Sequence, residues 1–218
     1  MINNVDKEKL KEIFDEFIGN NDFRKIINSE NKKRVFQKLI KNQDKNANDE
    51  ICKIVCNSFL DCCKDKYISF IIETLLLNCN EEYINSILEK CCDNLMELIE
   101  DMHGCRIVCC LISSNQVNID KLFELIKKNI LNIGQKQFGV LVIREIIISK
   151  NQSQKSQIIN EIIKEKNFIL LSTHHHGNYV VQEIFECSDQ GTKDYLKNKI
   201  KSIIKYAKYV LKKSEENS

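Results

Sequence analysis

The segment NYVVQEIF, which begins at Asn178, belongs to a pattern that occurs five times in this 218-residue chain. The other four copies are KRVFQKLI from Lys33, SFIIETLL from Ser69, CRIVCCLI from Cys105 and VLVIREII from Val140. Successive copies begin 36, 36, 35 and 38 residues apart, and the chain contains no proline. This period predicts stacked helical repeats, each of which buries its apolar face against the next.

The apolar residues of each copy fall on one face of a helix. When the first residue is counted as zero, offsets two, three, six and seven share one arc at 100° per residue. A large hydrophobic residue occupies each of these offsets, so the pattern predicts a buried stripe. The stripe comprises Val35, Phe36, Leu39, Ile40, Ile71, Ile72, Leu75, Leu76, Ile107, Val108, Leu111, Ile112, Val142, Ile143, Ile146, Ile147, Val180, Val181, Ile184 and Phe185.

Offsets zero, one and four lie on the other side of the same helices, and their residue types vary. A constant buried face with a variable outer face indicates that binding residues should be sought on the variable one. The candidates are Lys33, Arg34, Gln37, Ser69, Phe70, Glu73, Cys105, Arg106, Cys109, Val140, Leu141, Arg144, Asn178, Tyr179 and Gln182.

Three stretches carry a more specific resemblance: GNYVVQ from Gly177, GCRIVC from Gly104 and FGVLVIREI from Phe138. They resemble the base-reading helix of Pumilio (PUF) repeats, in which glycine opens the helix, offsets zero and four contact a base edge, and offset one stacks on a base. One such repeat reads roughly one base of single-stranded RNA. The resemblance implies an all-α, curved solenoid of about five three-helix repeats, an armadillo- or HEAT-like superhelix with RNA on its concave face.

By this resemblance, Asn178 and Gln182 imply a preference for uracil, with Tyr179 stacking on a base. Ser69 and Glu73 imply a preference for guanine, with Phe70 as the stacking ring. The other repeats depart from the family pattern, since Cys109 replaces a glutamine, Val140 and Leu141 are apolar beside Arg144, and Lys33, Arg34 and Gln37 suit electrostatic contact. Lys32 and Ile68 stand where glycine is usual. Because RNA runs antiparallel to the protein in this family, the implied target is 5′-U, unspecified, A-like, G, unspecified-3′.

The repeats divide residues 1–213 of one predicted domain into 1–45, 46–80, 81–116, 117–151 and 152–189, followed by one or two capping helices over 190–213 and a frayed tail at 214–218. KEKLKEIFDEFI, from Lys7, reads as an amphipathic stretch, and the polar segment Asn42 to Glu50 as a loop. In the fifth repeat, QKSQIINEIIKEK, NFILLST and the segment from Asn178 predict three successive elements.

Charge gives little support for a polyanionic partner, because 33 Lys and Arg oppose 31 Asp and Glu. From Gly191 onward, however, eight lysines face three acids, and this tail suits either phosphate contact or a solvated cap of the stack. No apolar stretch approaches the length of a membrane span, and the amino terminus is charged too early for a signal peptide. We expect an intracellular protein whose eleven cysteines are reduced.

Metal binding and catalysis find little support in the sequence. Cys52 and Cys56 lie four residues apart, but no CxxC motif occurs, and cysteine in an amphipathic helix commonly serves as a small hydrophobe. The consecutive histidines His174, His175 and His176 point in different directions, and a turn role is expected for His176 and for the related His103. No P-loop, HExxH or GxSxG motif occurs. We expect no metal, no cofactor and no enzymatic activity.

The function implied is single-stranded RNA binding, to an mRNA, in post-transcriptional control of translation or decay in the cytoplasm. A protein co-regulator on the convex face is possible, and no membrane or small-molecule partner is expected. Two alternatives stay open: a nucleolar Pumilio-like factor of ribosome assembly, and a helical-repeat scaffold that binds protein through a face such as Val140 and Leu141.

Overall fold

A computed structural model describes residues 27–42, 45–114, 116–149 and 151–216, with the side chains of 46, 47 and 205–216 left aside. The amphipathic stretch predicted from Lys7 lies outside the described residues. All regular secondary structure in the described ranges is α-helical. The helices are α1 Glu30–Asn42, α2 Lys45–Asn57, α3 Phe59–Lys64, α4 Ile68–Leu76, α5 Glu81–Asp93, α6 Leu95–Leu98, α7 Gly104–Ser113, α8 Asp120–Lys128, α9 Ile130–Gly134, α10 Gly139–Ile148, α11 Gln152–Ile162, α12 Glu165–Thr173, α13 Gly177–Cys187 and α14 Gln190–Glu216.

The helices follow one another in threes, as the predicted repeat requires. The triplets are α2 to α4, α5 to α7, α8 to α10 and α11 to α13, and each copy of the sequence pattern lies in the third helix of its triplet. In the first repeat, α1 carries the pattern. The prediction of an all-α chain of three-helix repeats is therefore confirmed.

The chain forms two compact units, residues 1–126 and 127–218. In the first unit, α4 packs between α1 and α7, while α2 packs on α5 and α3 on α6. In the second unit, α10 packs on α13 and α9 packs on α12. Within each unit, equivalent helices of successive repeats thus lie side by side, which brings the outer residues of neighbouring third helices together.

The predicted apolar stripe lies in the core, with two exceptions. Eighteen of its twenty residues are buried, but Val35 is 39% exposed and Phe185 is half-buried. Both exceptions belong to the outermost repeats of the described region. Among the described residues, a stripe residue there has a neighbouring repeat on one side only, and the ring of Phe185 instead lies 5.7 Å from Lys197 Nζ of α14.

Glycine opens three of the third helices because the preceding helix lies too close for a side chain. A Cβ atom on Gly104 would lie 2.8 Å from the carbonyl oxygen of Leu98, and one on Gly177 would lie 2.8 Å from that of Leu171. Real Cβ atoms do not approach backbone oxygens this closely, so these glycines set the packing of the third helix on the second.

A side chain three residues before α7, and another three residues before α13, caps the first N–H groups of the helix. The Asp101 Oδ1 atom accepts hydrogen bonds from the backbone N–H groups of His103 and Gly104, each at 2.8 Å. In the fifth repeat His174 replaces the aspartate, and its Nδ1 accepts from the N–H groups of His176 and Gly177 at 3.2 and 3.3 Å. The expected turn role of the histidines thus falls to the side chain of His174 and the backbone of His103 and His176.

The loop predicted from Asn42 to Glu50 is wrong, because α2 begins at Lys45. Two of its polar residues, Asn48 and Asp49, are buried and join helices. Asn48 Nδ2 donates to the carbonyl oxygens of Ile40 and Asn78 at 3.0 and 3.1 Å, and Asp49 Oδ1 accepts from the backbone N–H of Asn80 at 3.1 Å. Polarity here marks helix-to-turn hydrogen bonds rather than a solvent-exposed loop.

The C-terminal segment is one continuous helix, α14, which extends to Glu216. Residues 214–216, predicted to belong to a frayed tail, are therefore helical. None of the helices in the described part of the chain is long and apolar enough to cross a membrane.

Candidate nucleic-acid interface

In the first unit, the ring of Phe70 on α4 lies between cations from the helices before and after it. Lys33 Nζ of α1 is 4.0 Å from the ring centroid, and Arg106 Cζ of α7 is 4.2 Å from it. A cation near the face of an aromatic ring is attracted by the ring quadrupole. Phe70 and Arg106, both predicted to stack on bases, are therefore already stacked on each other.

Arg106 also holds Glu73, the residue implied to recognise guanine. Its Nε donates to Glu73 Oε1 at 2.8 Å and its Nη2 donates to Glu73 Oε2 at 3.2 Å. These hydrogen bonds raise the pKa of the Arg106 guanidinium above its usual value. Both oxygens of the carboxylate are thus engaged before any base arrives.

Offset zero does not belong to the exposed face in this unit. Ser69 and Cys105 have no exposed surface, and Lys33 is 8% exposed. Helix geometry explains this, since offset zero lies about 20° from the buried offset seven, whereas offset one is about 100° farther round. The expectation that Ser69 and Cys105 lie on an outer face is wrong.

These buried groups differ in their bonding. The Ser69 hydroxyl has no hydrogen-bond partner among the described residues. The Cys105 thiol donates to the carbonyl oxygen of Met102 at 3.2 Å, and burial raises its pKa to about 11. Lys33 forms an ion pair with Glu30 at 2.9 Å.

The remaining candidates of the first unit lie nearer the surface. Gln37 Nε2 donates to the carbonyl oxygen of Phe70 at 3.3 Å and to Thr74 Oγ1 at 3.0 Å, so it ties α1 to α4. Arg34 is exposed and donates to Glu30 Oε1 at 3.3 Å, while Cys109 is half-buried. Gln37 therefore has a structural role that its position in the pattern did not reveal.

In the second unit, α10 and α13 border an open groove with a volume of about 610 Å³. Tyr179 is 57% exposed and Leu141 is 44% exposed beside it. The residues that line the groove are Gln137, Val140, Leu141, Arg144, His176, Tyr179, Gln182, Glu183 and Glu186. Five of the six candidates from the fourth and fifth repeats are therefore brought together.

Asn178, the sixth candidate, is hydrogen-bonded within its own turn and helix. Its Nδ2 donates to the carbonyl oxygens of His174 and His175 at 2.9 and 2.8 Å, and its Oδ1 accepts from Gln182 Nε2 at 2.7 Å. All of these bonds are local, so Asn178 closes the turn before α13 and orients Gln182. Gln182 itself is exposed at the groove.

The groove also contains charged residues that the pattern analysis missed. Arg144 Nε donates to Glu183 Oε2 at 3.0 Å, which links α10 to α13, and Glu186 lies on the same lining. Glu183 and Glu186 stand at offsets five and eight, which lie about 40° and 20° from offset one on a helix. Extending the examined face to those two offsets would have found both residues.

The described residues contain no cluster of three or more histidine, cysteine or acidic side chains that could hold a metal ion. Of the eleven cysteines, seven are buried and four are half-buried. Burial raises the pKa of the Cys63 thiol, the Cys91 thiol and the Cys92 thiol. These residues pack as hydrophobic side chains in the repeat core.

Comparison with known proteins identifies the family to which this repeat architecture belongs. The sequence pattern of the NOP9-like PUF repeat domain matches residues 1–215. The chain belongs to this PUF repeat family. The predicted resemblance to Pumilio repeats is therefore confirmed.

Solved PUF proteins share the fold. PUF-8, solved in complex with PBE-RNA, matches 94% of this chain over 58% of its own, with a TM-score of 0.73 and 18% identity. The RNA-binding domain of yeast Puf5p, bound to SMX2 RNA, matches 82% of this chain over 52% of its own, with a TM-score of 0.65 and 21% identity. This PUF chain thus spans a little over half the length of those structures.

Among curated proteins, Pumilio homolog 11 of Arabidopsis thaliana is 25% identical to this chain over 91 residues. That match covers 41% of this chain and 16% of the Arabidopsis protein.

Proposed function

We propose that this PUF chain binds single-stranded RNA, and that the groove between α10 and α13 holds a base. The observation that carries the proposal is the exposed pair of Tyr179 and Leu141 beside Gln182 in that groove. A ring and an aliphatic side chain suit the face of a base, whereas an amide suits its edge. The RNA-bound state of the related PUF-8 and Puf5p structures supports the same role.

Charge in the groove favours a base over a phosphate as the bound group. Arg144 is paired with Glu183, and Glu186 adds a further negative charge. A phosphate would meet two carboxylates there, whereas an uncharged base would not. Stacking contributes roughly 1–3 kcal/mol per base, so this groove can supply affinity without net positive charge.

In the first unit, the contact between Phe70 and Arg106 leaves no room for a base between them. A base inserted between Phe70 and Arg106 needs them roughly 7 Å apart, twice the stacking distance of about 3.4 Å. The two groups lie 4.2 Å apart, and Arg106 is also bonded to Glu73. We therefore propose that RNA engages the second unit first, and that guanine recognition by Glu73 requires Arg106 to move.

The base preferences follow from which amides and carboxylates are available. Because Asn178 is committed to its turn, the proposed uracil preference of the fifth repeat rests on Gln182. The proposed guanine preference of the second repeat rests on Glu73, since Ser69 is buried.

Fluorescence anisotropy with labelled RNAs that contain uridine and guanine, at several salt concentrations, tests the proposal. Tyr179→Ala should weaken binding roughly 5- to 150-fold, which corresponds to the loss of one stacked base, whereas Tyr179→Phe should bind normally. Tyr195→Ala is the matched control, because Tyr195 is 49% exposed on α14 outside the groove. Equal affinities for Tyr179→Ala and Tyr195→Ala would reject the groove as the site.

For the biological role, we propose mRNA binding in post-transcriptional regulation in the cytoplasm, with no catalytic step. The competing RNA-binding role is a nucleolar one in ribosome assembly. Crosslinking RNA to the protein in cells and sequencing it distinguishes the two, because mRNA fragments support the first and ribosomal precursor fragments support the second. A protein partner captured by a chain without measurable RNA affinity would instead favour the scaffold.

A further inference from the structure

Two buried thiols meet where α2 packs against the turn that follows α4. Cys52 Sγ of α2 lies 3.0 Å from Cys79 Sγ, and the two residues are 0% and 2% exposed. This separation is a thiol–thiol contact that lies about 1 Å beyond the length of a disulfide bond. Formation of that bond would need only a small approach of the two sulfur atoms.

The neighbouring hydrogen bonds hold these thiols in place. One turn before Cys52, Asn48 donates to the carbonyl oxygen of Asn78 at 3.1 Å. Asp49 accepts from the backbone N–H of Asn80 at 3.1 Å. These bonds fix the residues on both sides of Cys79 against the helix that carries Cys52, so the contact does not depend on the thiols alone.

We propose that Cys52 and Cys79 form a modification site, at which a peroxide oxidant closes an intramolecular disulfide. In the reaction both S–H bonds break and one S–S bond forms. The two thiols give up two electrons and two protons, and hydrogen peroxide is reduced to two molecules of water. The bond links α2 to the turn after α4 and encloses Phe70 and Glu73 within the closed ring of chain.

Burial sets the speed of this reaction. The hydrogen bond between Cys52 and Cys79, together with burial, raises the pKa of the Cys52 thiol far above its usual value. Since the thiolate is the reactive form, the pair reacts slowly and only when the repeat opens locally. Half-buried thiols such as Cys187 react earlier and report that the oxidant is present.

The test treats the full chain with a dose series of hydrogen peroxide under conditions that preserve its circular dichroism. After removal of the peroxide, the protein is unfolded in N-ethylmaleimide, digested without reductant and analysed by mass spectrometry. The expected product is a peptide pair linked through Cys52 and Cys79, lighter than the two free peptides by two hydrogen atoms. Oxidised protein should also melt roughly 5 °C or more above its reduced form.

Variants locate the bond. Cys79→Ser should leave Cys52 fully alkylated, whereas Cys91→Ser should leave the Cys52–Cys79 link intact. Cys91 is a matched control because it is equally buried, on the neighbouring α5, without a hydrogen bond to another thiol in the described part of the chain. If both Cys52 and Cys79 are alkylated in the protein without substitutions, at a peroxide dose that has fully oxidised Cys187, the proposal is overturned. This outcome does not depend on the folding of any variant.

Discussion

The ion pair between Arg106 and Glu73 should contribute measurably to the stability of the first unit. The guanidinium makes two hydrogen bonds to the carboxylate, and the side chains are 43% and 24% exposed. A partly exposed bidentate pair contributes about 0.5–1 kcal/mol, and the contact with Phe70 adds about as much again. Arg106→Ala should therefore lower the free energy of unfolding by about 1–2 kcal/mol, and Glu73→Ala by about half of that.

A double-mutant cycle isolates the pair. Urea unfolding of the parent, both single variants and the double variant, followed by circular dichroism, should give a coupling energy of about 0.5–1 kcal/mol. The Arg34–Glu30 pair is the matched control, since it has one hydrogen bond at 3.3 Å and side chains that are 70% and 51% exposed. Its coupling should be about 0.3 kcal/mol. Zero coupling between Arg106 and Glu73 would refute the reasoning.

RNA-binding measurements on the parent, the two single variants and the double variant show whether RNA separates Arg106 from Phe70 and Glu73. If a base enters between Phe70 and Arg106, the pair is broken in the complex, and its coupling appears in the RNA affinities with opposite sign. If the affinity changes of the two single variants simply add, RNA leaves the pair intact, and the proposed movement of Arg106 is wrong.

Two further predictions concern the helix starts. Gly104→Ala should lower the free energy of unfolding by about 1–3 kcal/mol, because its Cβ would meet backbone atoms of Leu98. Gly191→Ala is the control and should melt like the parent, since the nearest atom to its Cβ belongs to the side chain of Asp189. Equal melting temperatures for the two variants would contradict this prediction. Desolvation, followed by the charges of His175 and His176, lowers the pKa of His174 below 6.5. Neutral His174 caps α13, so its contribution is present above pH 6.5 and is lost as pH falls through the lowered value. Between about pH 7 and 5, the melting temperature of the parent should fall by more than that of His174→Asp. Equal falls would exclude the cap.

Much of the fold follows from local periodicity alone. The spacing of the five copies and the hydrophobic residues at four fixed offsets depend only on helix geometry, which is the same in every environment. Glycine before the third helix carries equally local information, because it marks a position without room for a Cβ atom. The PUF resemblance, the helical triplets and the burial of eighteen stripe residues were therefore accessible before any coordinates.

Parts of the site were not accessible in this way, because they depend on distances between helices. Offset zero lies at the edge of the buried arc, so the approach of the neighbouring helix decided that Ser69 and Cys105 are covered, while Val140 and Asn178 at the same offset are half-buried. Arg106 pairs with Glu73, 33 residues away, through packing of α7 on α4.

The sequence by itself determined that the apolar stripe of each third helix faces inward, because helical periodicity is a property of the chain. Only the tertiary structure decided which outer residues already have partners on a neighbouring helix, as Gln37 and Glu73 do, and which line an open groove, as Tyr179 and Leu141 do. The physical reason is that a hydrogen bond or ion pair forms only within a few ångströms, and sequence spacing along the chain does not set distances between packed helices.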